Sequence, residues 1–349
     1  MKQVKRFLTV MFMLLWCVAI QAADDLITQQ ITIKLDSAGT LSDKIGSTEM
    51  YKIANLKIIG EINGTDLRMI RDMAGSDSLA NSTDGKLATL DLSEVKIVSG
   101  GGFYYIDNDG HHYYTKDNVL GDYAFYGCRS LTSIEIPSSV TAIGDYAFCD
   151  CSSLTSIEIP SSVTAIDERA FCDCKSLASV VIPSSVTAIG EGAFSGCSSL
   201  TSIEIPSSVT AIGEDAFCDC KSLASVVIPS RVIRIDSYAF ENCSSLASIY
   251  VSWETPISIT SWVFYEVDKQ KCTLYVPQGT YQDYLNAAVW GDFGNIVEYD
   301  ATGVDNVATS TNVKEVARYS LNGQRLTAPT GGLNIVKYSD GSVKKVVVQ

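Results

Sequence analysis

The sequence predicts a solenoid, in which short coils stack along one axis with a parallel β-sheet on one face, between irregular caps and before a small C-terminal antiparallel β module. Three observations carry this reading. Phe125, Phe148, Phe171, Phe194, Phe217 and Phe240 recur every 23 residues, and Phe264 follows after 24. Cys128, Cys151, Cys174, Cys197, Cys220 and Cys243 stand three places after those six rings, and Leu131, Leu154, Leu177, Leu200, Leu223 and Leu246 stand six places after. Pro137, Pro160, Pro183, Pro206 and Pro229 complete the frame A-F-x-x-C-x-S-L-x-S-[IV]-x-I-P-S-x-V-x-x-I.

Such a unit has to stack. Ordering one residue costs roughly 1 to 2 kcal/mol of backbone entropy, whereas each buried apolar side chain returns about 1.5 to 3 kcal/mol, so a single coil with about seven of them is unstable alone. Leu131, Ile134 and Ile136 alternate inward through a short strand that Pro137 ends, Val140 and Ile143 resume the inward pattern, and Ala147 and Phe148 enter the next coil. Coils spaced about 4.8 Å apart let these strands pair in parallel.

The unit resembles the BspA-type leucine-rich repeat of surface proteins from Bacteroidetes and treponemes, closely so over residues 121–250. The resemblance implies a leucine-rich repeat solenoid. It extends to the caps: Leu56, Ile58 and Gly60, then Leu90, Asp91 and Leu92, resemble that family's irregular first repeats, and the segments from Val276 and Trp290 resemble its closing one.

Residues 1–22 read as a secretory signal peptide. Lys2, Lys5 and Arg6 precede an apolar run over 7–20 broken only by Thr9, and Ala22 or Ala23 offers a small residue for cleavage. A membrane-spanning helix needs about 20 apolar residues, so no transmembrane segment is expected. Trp16 in front of Cys17 argues against a lipid anchor.

Residues 23–120 form the N-terminal cap, ending in an aromatic hairpin. Strands over 103–106 and 111–115 flank the turn Asn108-Asp109-Gly110. Tyr104, Tyr105, Tyr113 and Tyr114 either stack on a glycan, anchor a protein, or plug the open end of the solenoid, and the plug is the favoured reading. His111 and His112 are the only histidines and face opposite ways on a strand, which excludes a joint metal site.

Within 121–250 the copies are nearly identical: 151–173 and 197–219 differ only at Asp167 against Gly213 and Arg169 against Asp215. That uniformity predicts a repetitive surface rather than a sculpted pocket. Its outward strand position reads Glu135, Glu158, Val181, Glu204, Val227 and Tyr250, flanked by serines. A flat, mildly acidic face of this kind suits broad contact with an extended partner, or faces solvent without one.

Ten cysteines follow the signal segment. The six in register read as a buried ladder, and C-D-C pairs without histidines lack the second ligand pair of a zinc site. A step of about 4.8 Å lies within disulfide reach, although parallel side chains disfavour bridges; Cys149 with Cys172 is the candidate exception. No metal or cofactor is expected.

Residues 251–300 close the solenoid, and residues 301–349 form a separate β-rich tail. The tail carries six cations against three carboxylates, while the whole chain is at −14. Asn322-Gly323 and Asp340-Gly341 mark hairpin turns, and Y-S-L-N-G-Q-R-L with K-K-V-V-V-Q resembles the sorting tails of secreted Bacteroidetes proteins.

The acidic balance disfavours nucleic acid. H-E-x-x-H, G-x-S-x-G and G-x-x-x-x-G-K-[ST] are all missing, and paired glutamates on a flat ladder have no enclosing cleft, so no catalytic residues are expected. The expected function is recognition at the outer cell surface. The resemblance implies adhesion to an extracellular protein, whether host matrix, mucosal glycoprotein or another bacterium, through Glu135, Glu158, Glu204 and Tyr250. The alternatives are polysaccharide capture by Tyr104, Tyr105, Tyr113, Tyr114 and Tyr250, or a passive spacer.

Overall fold

The computed structural model describes residues 26–299 and, beyond them, the strands Glu315–Ser320, Arg325–Leu326, Gly332–Tyr338 and Val343–Val348. The chain divides into two compact units, Met1–Ala301 and Thr302–Gln349. The expected signal segment 1–22 and the turns Asn322-Gly323 and Asp340-Gly341 lie outside the described residues.

The first unit is the expected solenoid. Strands β1 (Ile31–Lys34), β2 (Asn55–Ile62) and β3 (Thr89–Ile97) pair in parallel and lead into the repeat strands Ser133–Glu135, Ser156–Glu158 and Ser179–Val181. A second parallel sheet continues through Ser202–Glu204, Ser225–Ile228, Ser248–Val251, Thr273–Pro277 and Asn295–Tyr299. The strand face is therefore two stacked sheets rather than one. Between them the amide of Thr201 still donates to the carbonyl of Ala178, at 3.3 Å.

The phenylalanines point inward and stack. From Phe125 to Phe264 adjacent ring centroids lie 5.3 to 5.6 Å apart, with interplanar angles of 1° to 14°. All seven are buried. Beside them the cysteine ladder has its own bond, since the thiols of Cys151, Cys174, Cys197, Cys220 and Cys243 donate to the carbonyls of Phe125, Phe148, Phe171, Phe194 and Phe217 at 3.1 to 3.3 Å. All ten described cysteines are free. Burial pushes these core thiols up, the Cys128 thiol to about 11, which keeps them protonated as donors.

Two backbone positions in each outer turn are left-handed. Tyr123, Tyr146, Arg169, Gly192, Asp215 and Tyr238 have φ of 50° to 62°, and Gly127, Asp150, Asp173, Gly196, Asp219 and Asn242 have φ of 52° to 72°. Both positions turn their N–H along the stack: Tyr146 donates to Glu168 O and Asp150 to Cys172 O, each at 2.8 Å. On the strand side the bonds run the other way, as from Thr155 to Thr132 O at 3.1 Å. Each coil is thus bonded to both neighbours.

The caps close the column with different chemistry. Helix α1 (Leu41–Lys44) and helix α2 (Gly64–Met73) belong to the N-terminal cap, and Asp66 of α2 accepts from the amides of Gly39, Leu41 and Asn63. Arg71 of α2, fully buried, donates to the carbonyls of Tyr123, Ala124, Tyr126 and Asp77 at 2.7 to 3.2 Å. A guanidinium spread over four carbonyls ties the cap to the first regular turn. At the far end Trp290 and Phe293 meet Phe264 edge-on at 5.7 and 5.6 Å, which ends the stack, and the Trp290 indole donates to Ile257 O.

The hairpin adds no strand to the stacked sheets. Strands β4 (Gly100–Ile106) and β5 (His112–Thr115) are antiparallel and follow β3, whereas the first strand of the sheet is β1. They pack against the cap, where Arg68 of α2 covers Phe103 at 4.2 Å and Ile106 donates to Ser78 O. In the second unit the four strands form an antiparallel sheet, in the order Arg325–Leu326, Glu315–Ser320, Gly332–Tyr338, Val343–Val348.

Phe194 stands midway in the column with rings above and below, so Phe194→Ala removes two stacking partners and leaves a cavity. The expected cost is about 3 to 5 kcal/mol in chemical denaturation of the full chain; a loss below about 1 kcal/mol contradicts the burial described above.

Candidate functional site

The strand face offers the candidate site because parallel register aligns its outward positions into one row. In stacking order the row reads Thr32, Lys57, Asp91, Glu135, Glu158, Val181, and then Glu204, Val227, Tyr250, Tyr275 and Val297. Three zones follow from its chemistry.

The first zone is ion-paired. The Lys57 ammonium lies 2.8 Å from Glu94 Oε1 and 2.9 Å from Asp91 Oδ2, and these two bonds, Glu94's first, raise its pKa. Burial pushes Asp91 up, but hydrogen bonds from Ser93 and Lys57 outweigh it and hold the carboxyl below its ordinary range.

The second zone is not neutralised. Glu135 and Glu158 are exposed and directly opposite in register, and among the described residues neither they nor Glu204 makes an ion pair or side-chain hydrogen bond. Like charges opposite each other on a sheet cost up to about 1 kcal/mol. A cationic group from a partner relieves that repulsion.

The third zone is apolar and aromatic. Val181 is 70% exposed. Tyr250 stacks on Tyr275 at 4.3 Å and 8°, and Tyr299 meets Tyr250 edge-on at 5.7 Å with its hydroxyl anchored on Val251 O. All three rings are half-buried, so each is held by its neighbours yet keeps a face or edge in water. Sequence reasoning found Tyr250 but missed Tyr275 and Tyr299. The signal was available: T-L-Y-V at 273–276 matches S-I-Y-V at 248–251, displaced by a step of 25 rather than 23.

The hairpin tyrosines are mostly spent on packing. Tyr104 is 1% exposed, its hydroxyl donating to Asp122 O, and Tyr105 is 6% exposed, stacked on Tyr123 at 4.6 Å and beneath Arg71 at 5.0 Å. These two therefore offer no face to a ligand. A register shift in β4 between Gly100 and Tyr105 breaks the alternation of the strand, which fits two consecutive tyrosines both turning inward. Tyr113 is half-buried, with its hydroxyl on Asp107 Oδ2; Tyr114, 50% exposed, is left on the surface. Stacking continues from Tyr105 through Tyr123 to Tyr146, 5.0 Å apart at 6°, so the hairpin caps an aromatic column on the outer turns.

Two groups of described residues bring three metal-type donors within 4.8 Å: Asp107 with Asp109 and His111, and Asp215 with Cys218 and Glu241. In the first, Asp107 already accepts from the His111 ring, the Tyr113 hydroxyl and two amides. In the second, burial and then the charge of Glu241 push the Cys218 thiol up to about 12, so a metal would have to displace its proton. His112 contacts Phe103 instead of His111's carboxylate partner.

The chain matches the BspA type leucine rich repeat region in six copies, over residues 118–247 and 166–281. It is similar to solved structures of bacterial leucine-rich repeat proteins. The T. pallidum leucine-rich repeat protein is 36% identical, over 48% of this chain and 74% of that one, with a TM-score of 0.39. A leucine-rich repeat protein from Bacteroides ovatus is 25% identical over 60% of each chain, with a TM-score of 0.37. The pneumococcal vaccine antigen PcpA is 18% identical over 71% of this chain and 69% of that one, with a TM-score of 0.45. No curated protein matches.

The His111 ring lies 2.9 Å from Asp107 Oδ2, and that bond, followed by the charge of Asp107, raises its pKa above the ordinary 6.5. Burial raises Asp107, but bonds from His111, Tyr113 and Asp109 outweigh it and bring the carboxyl to about 2. The raised histidine supports the turn fully below 6.5, and that support disappears as pH rises through its folded value; the lowered aspartate supports it above 3.8 and loses that as pH falls toward 2. An NMR titration should place the His111 midpoint above 6.5, and Asp107→Asn should return it to the ordinary value. Equal midpoints in the two proteins would remove the pair.

Proposed function

Because this chain belongs to the BspA-type leucine-rich repeat family, a family of cell-surface or secreted proteins associated with protein interaction and adhesion, we propose that it is a secreted recognition protein displayed at the outer cell surface. It binds an extracellular protein, of host or bacterial origin, through the strand face. The observation that carries this reading is the row itself: two carboxylates without partners, followed by exposed valine and a stacked tyrosine pair. The unpaired glutamates steer a basic segment toward the face and set its register, which matters more for on-rate and specificity than for affinity. Tyr250 and Tyr275 supply the anchor, since rigid aromatic rings lose little entropy on binding and dominate interface energies.

The two end segments fit the same reading. Residues 1–22 direct export and residues 301–349 serve sorting or attachment, leaving the solenoid as the binding unit. No described helix is long and apolar enough to cross a membrane. The scaffold itself is of a kind that binds rather than catalyses.

Surface plasmon resonance of the full chain against immobilised matrix proteins, mucin and a glycan array tests the proposal. A protein ligand is expected, whose affinity falls with salt, falls again in Glu135→Lys with Glu158→Lys, and drops at least 10-fold in Tyr250→Ala with Tyr275→Ala. If Tyr114→Ala abolishes binding while the strand-face variants do not, the hairpin is the site and polysaccharide capture replaces this reading; no binding to any surface supports a spacer.

A further inference from the structure

A second ladder runs along the outer turns, one residue after each phenylalanine: Tyr126, Cys149, Cys172, Ser195, Cys218 and Glu241. Backbone bonds set its stacking, with Gly127 donating to Cys149 O, Asp150 to Cys172 O and Asp173 to Ser195 O at 2.7 to 2.8 Å. Cys149 and Cys172 therefore occupy equivalent places on consecutive coils. They are the one adjacent pair of cysteines in this ladder, since Cys218 lies between Ser195 and Glu241, with its thiol 3.6 Å from Glu241 Oε2.

The pair differs from the core cysteines in what its thiols touch. Five core thiols are each engaged by a phenylalanine carbonyl, and all six core cysteines are sealed from solvent. The thiols of Cys149 and Cys172 are instead near enough to shift each other's protonation, and the Cys172 thiol also lies 3.9 Å from Asp173 Oδ2. Equivalent places on stacked coils set the two Cβ atoms side by side, and rotation about χ1 is enough to turn one sulfur toward the other. A coil step of about 4.8 Å puts the two Cα atoms inside the range that disulfides span, about 4.4 to 6.8 Å.

We propose that Cys149 and Cys172 form a disulfide that staples two consecutive coils when the protein meets a small-molecule disulfide. Cys172, half-exposed, is the entry point, and Cys149, 7% exposed, lies behind it. Interaction with Cys172, then burial, pushes the Cys149 thiol up, while the same interaction holds Cys172 below its ordinary value. The Cys172 thiolate attacks one sulfur of the oxidant, forming a mixed disulfide and expelling one small thiolate. Cys149 then gives up its proton and attacks the Cys172 sulfur, expelling the second. Two protein thiols become one sulfur–sulfur bond, the two electrons reduce the oxidant, and the two protons leave with its two thiols.

The test uses the full chain, reduced, then incubated with oxidised glutathione, denatured, alkylated and digested for mass spectrometry. The expected product is one cross-linked peptide pair joining Cys149 to Cys172, lighter by two hydrogen atoms, with the other eight described cysteines alkylated. The Cys172→Ser variant should lose the cross-link and leave Cys149 alkylatable. The proposal is overturned if every described cysteine of the parent chain is alkylated, if glutathione stays attached to Cys172, if bridges form among other cysteines, or if Cys172→Ser still loses a pair of thiols.

Discussion

Seven phenylalanine rings stacked 5.3 to 5.6 Å apart set the step of this molecule, and the rest of the chain is arranged to keep that step. The ring spacing slightly exceeds the roughly 4.8 Å between paired strands, which a tilted stack accommodates. Because each ring is packed on both sides by the same residue type, a coil gains its burial from neighbours rather than from itself. One coil cannot therefore be altered alone: a shift in one is passed to the next through the ring, the thiol bond beside it and the ladders on either side of the turn. The caps interrupt this transmission. Arg71 holds the first regular turn with three carbonyl contacts, and Trp290 and Phe293 meet the last ring edge-on, offering no parallel face on which another coil can stack.

The same repetition that builds the core limits where function can sit. Coils that are copies of one another display copies of one surface, so distinct chemistry on the strand face appears where the repeats become irregular. At one end Lys57 is paired with both Asp91 and Glu94; at the other Tyr250, Tyr275 and Tyr299 cluster. Between them the regular coils supply glutamate, valine and serine. A partner running along the axis meets charge first and aromatic surface last, which gives the face a direction that the repeats alone do not have.

How much of this the sequence disclosed depends on the range of the interactions. The inward positions were readable because one residue type at one spacing reports one environment six times over, and every ladder residue from Phe125 to Leu246 is buried as the frame implies. Glu135, Glu158 and Glu204 emerge outward for the same reason. The hairpin occurs once, so no repetition corrects the reading, and a register shift in β4 accompanies the burial of both Tyr104 and Tyr105 where alternation implies one of them outside. Arg71 is one of two arginines in α2, and nothing local says that three of its carbonyl partners lie more than 50 residues away. Tyr275 escaped notice because the coil that carries it has a step of 25, which hides a strand that still pairs in register with its neighbour.

The outer turns show why the repeat tolerates costly conformations. Nine of the twelve left-handed positions in the regular coils are not glycine, and each such residue gives up roughly 1 to 2 kcal/mol relative to a right-handed one. Those same residues are the ones that aim their N–H at the next coil, so the strained geometry creates the outer ladder of bonds: a right-handed turn would leave the amides across the axis and the carbonyls above them without donors. The strain is local, whereas the bonds it enables join whole coils. The second left-handed position, held by Asp150 and Asp173 among others, directly follows Cys149 and Cys172, and these partly buried turns are where the chain admits variation: glycine, aspartate, asparagine, tyrosine and arginine all occupy the two left-handed sites. A cysteine placed there has freedom to meet another cysteine. One placed two residues later, in the core, is held by a carbonyl and has none.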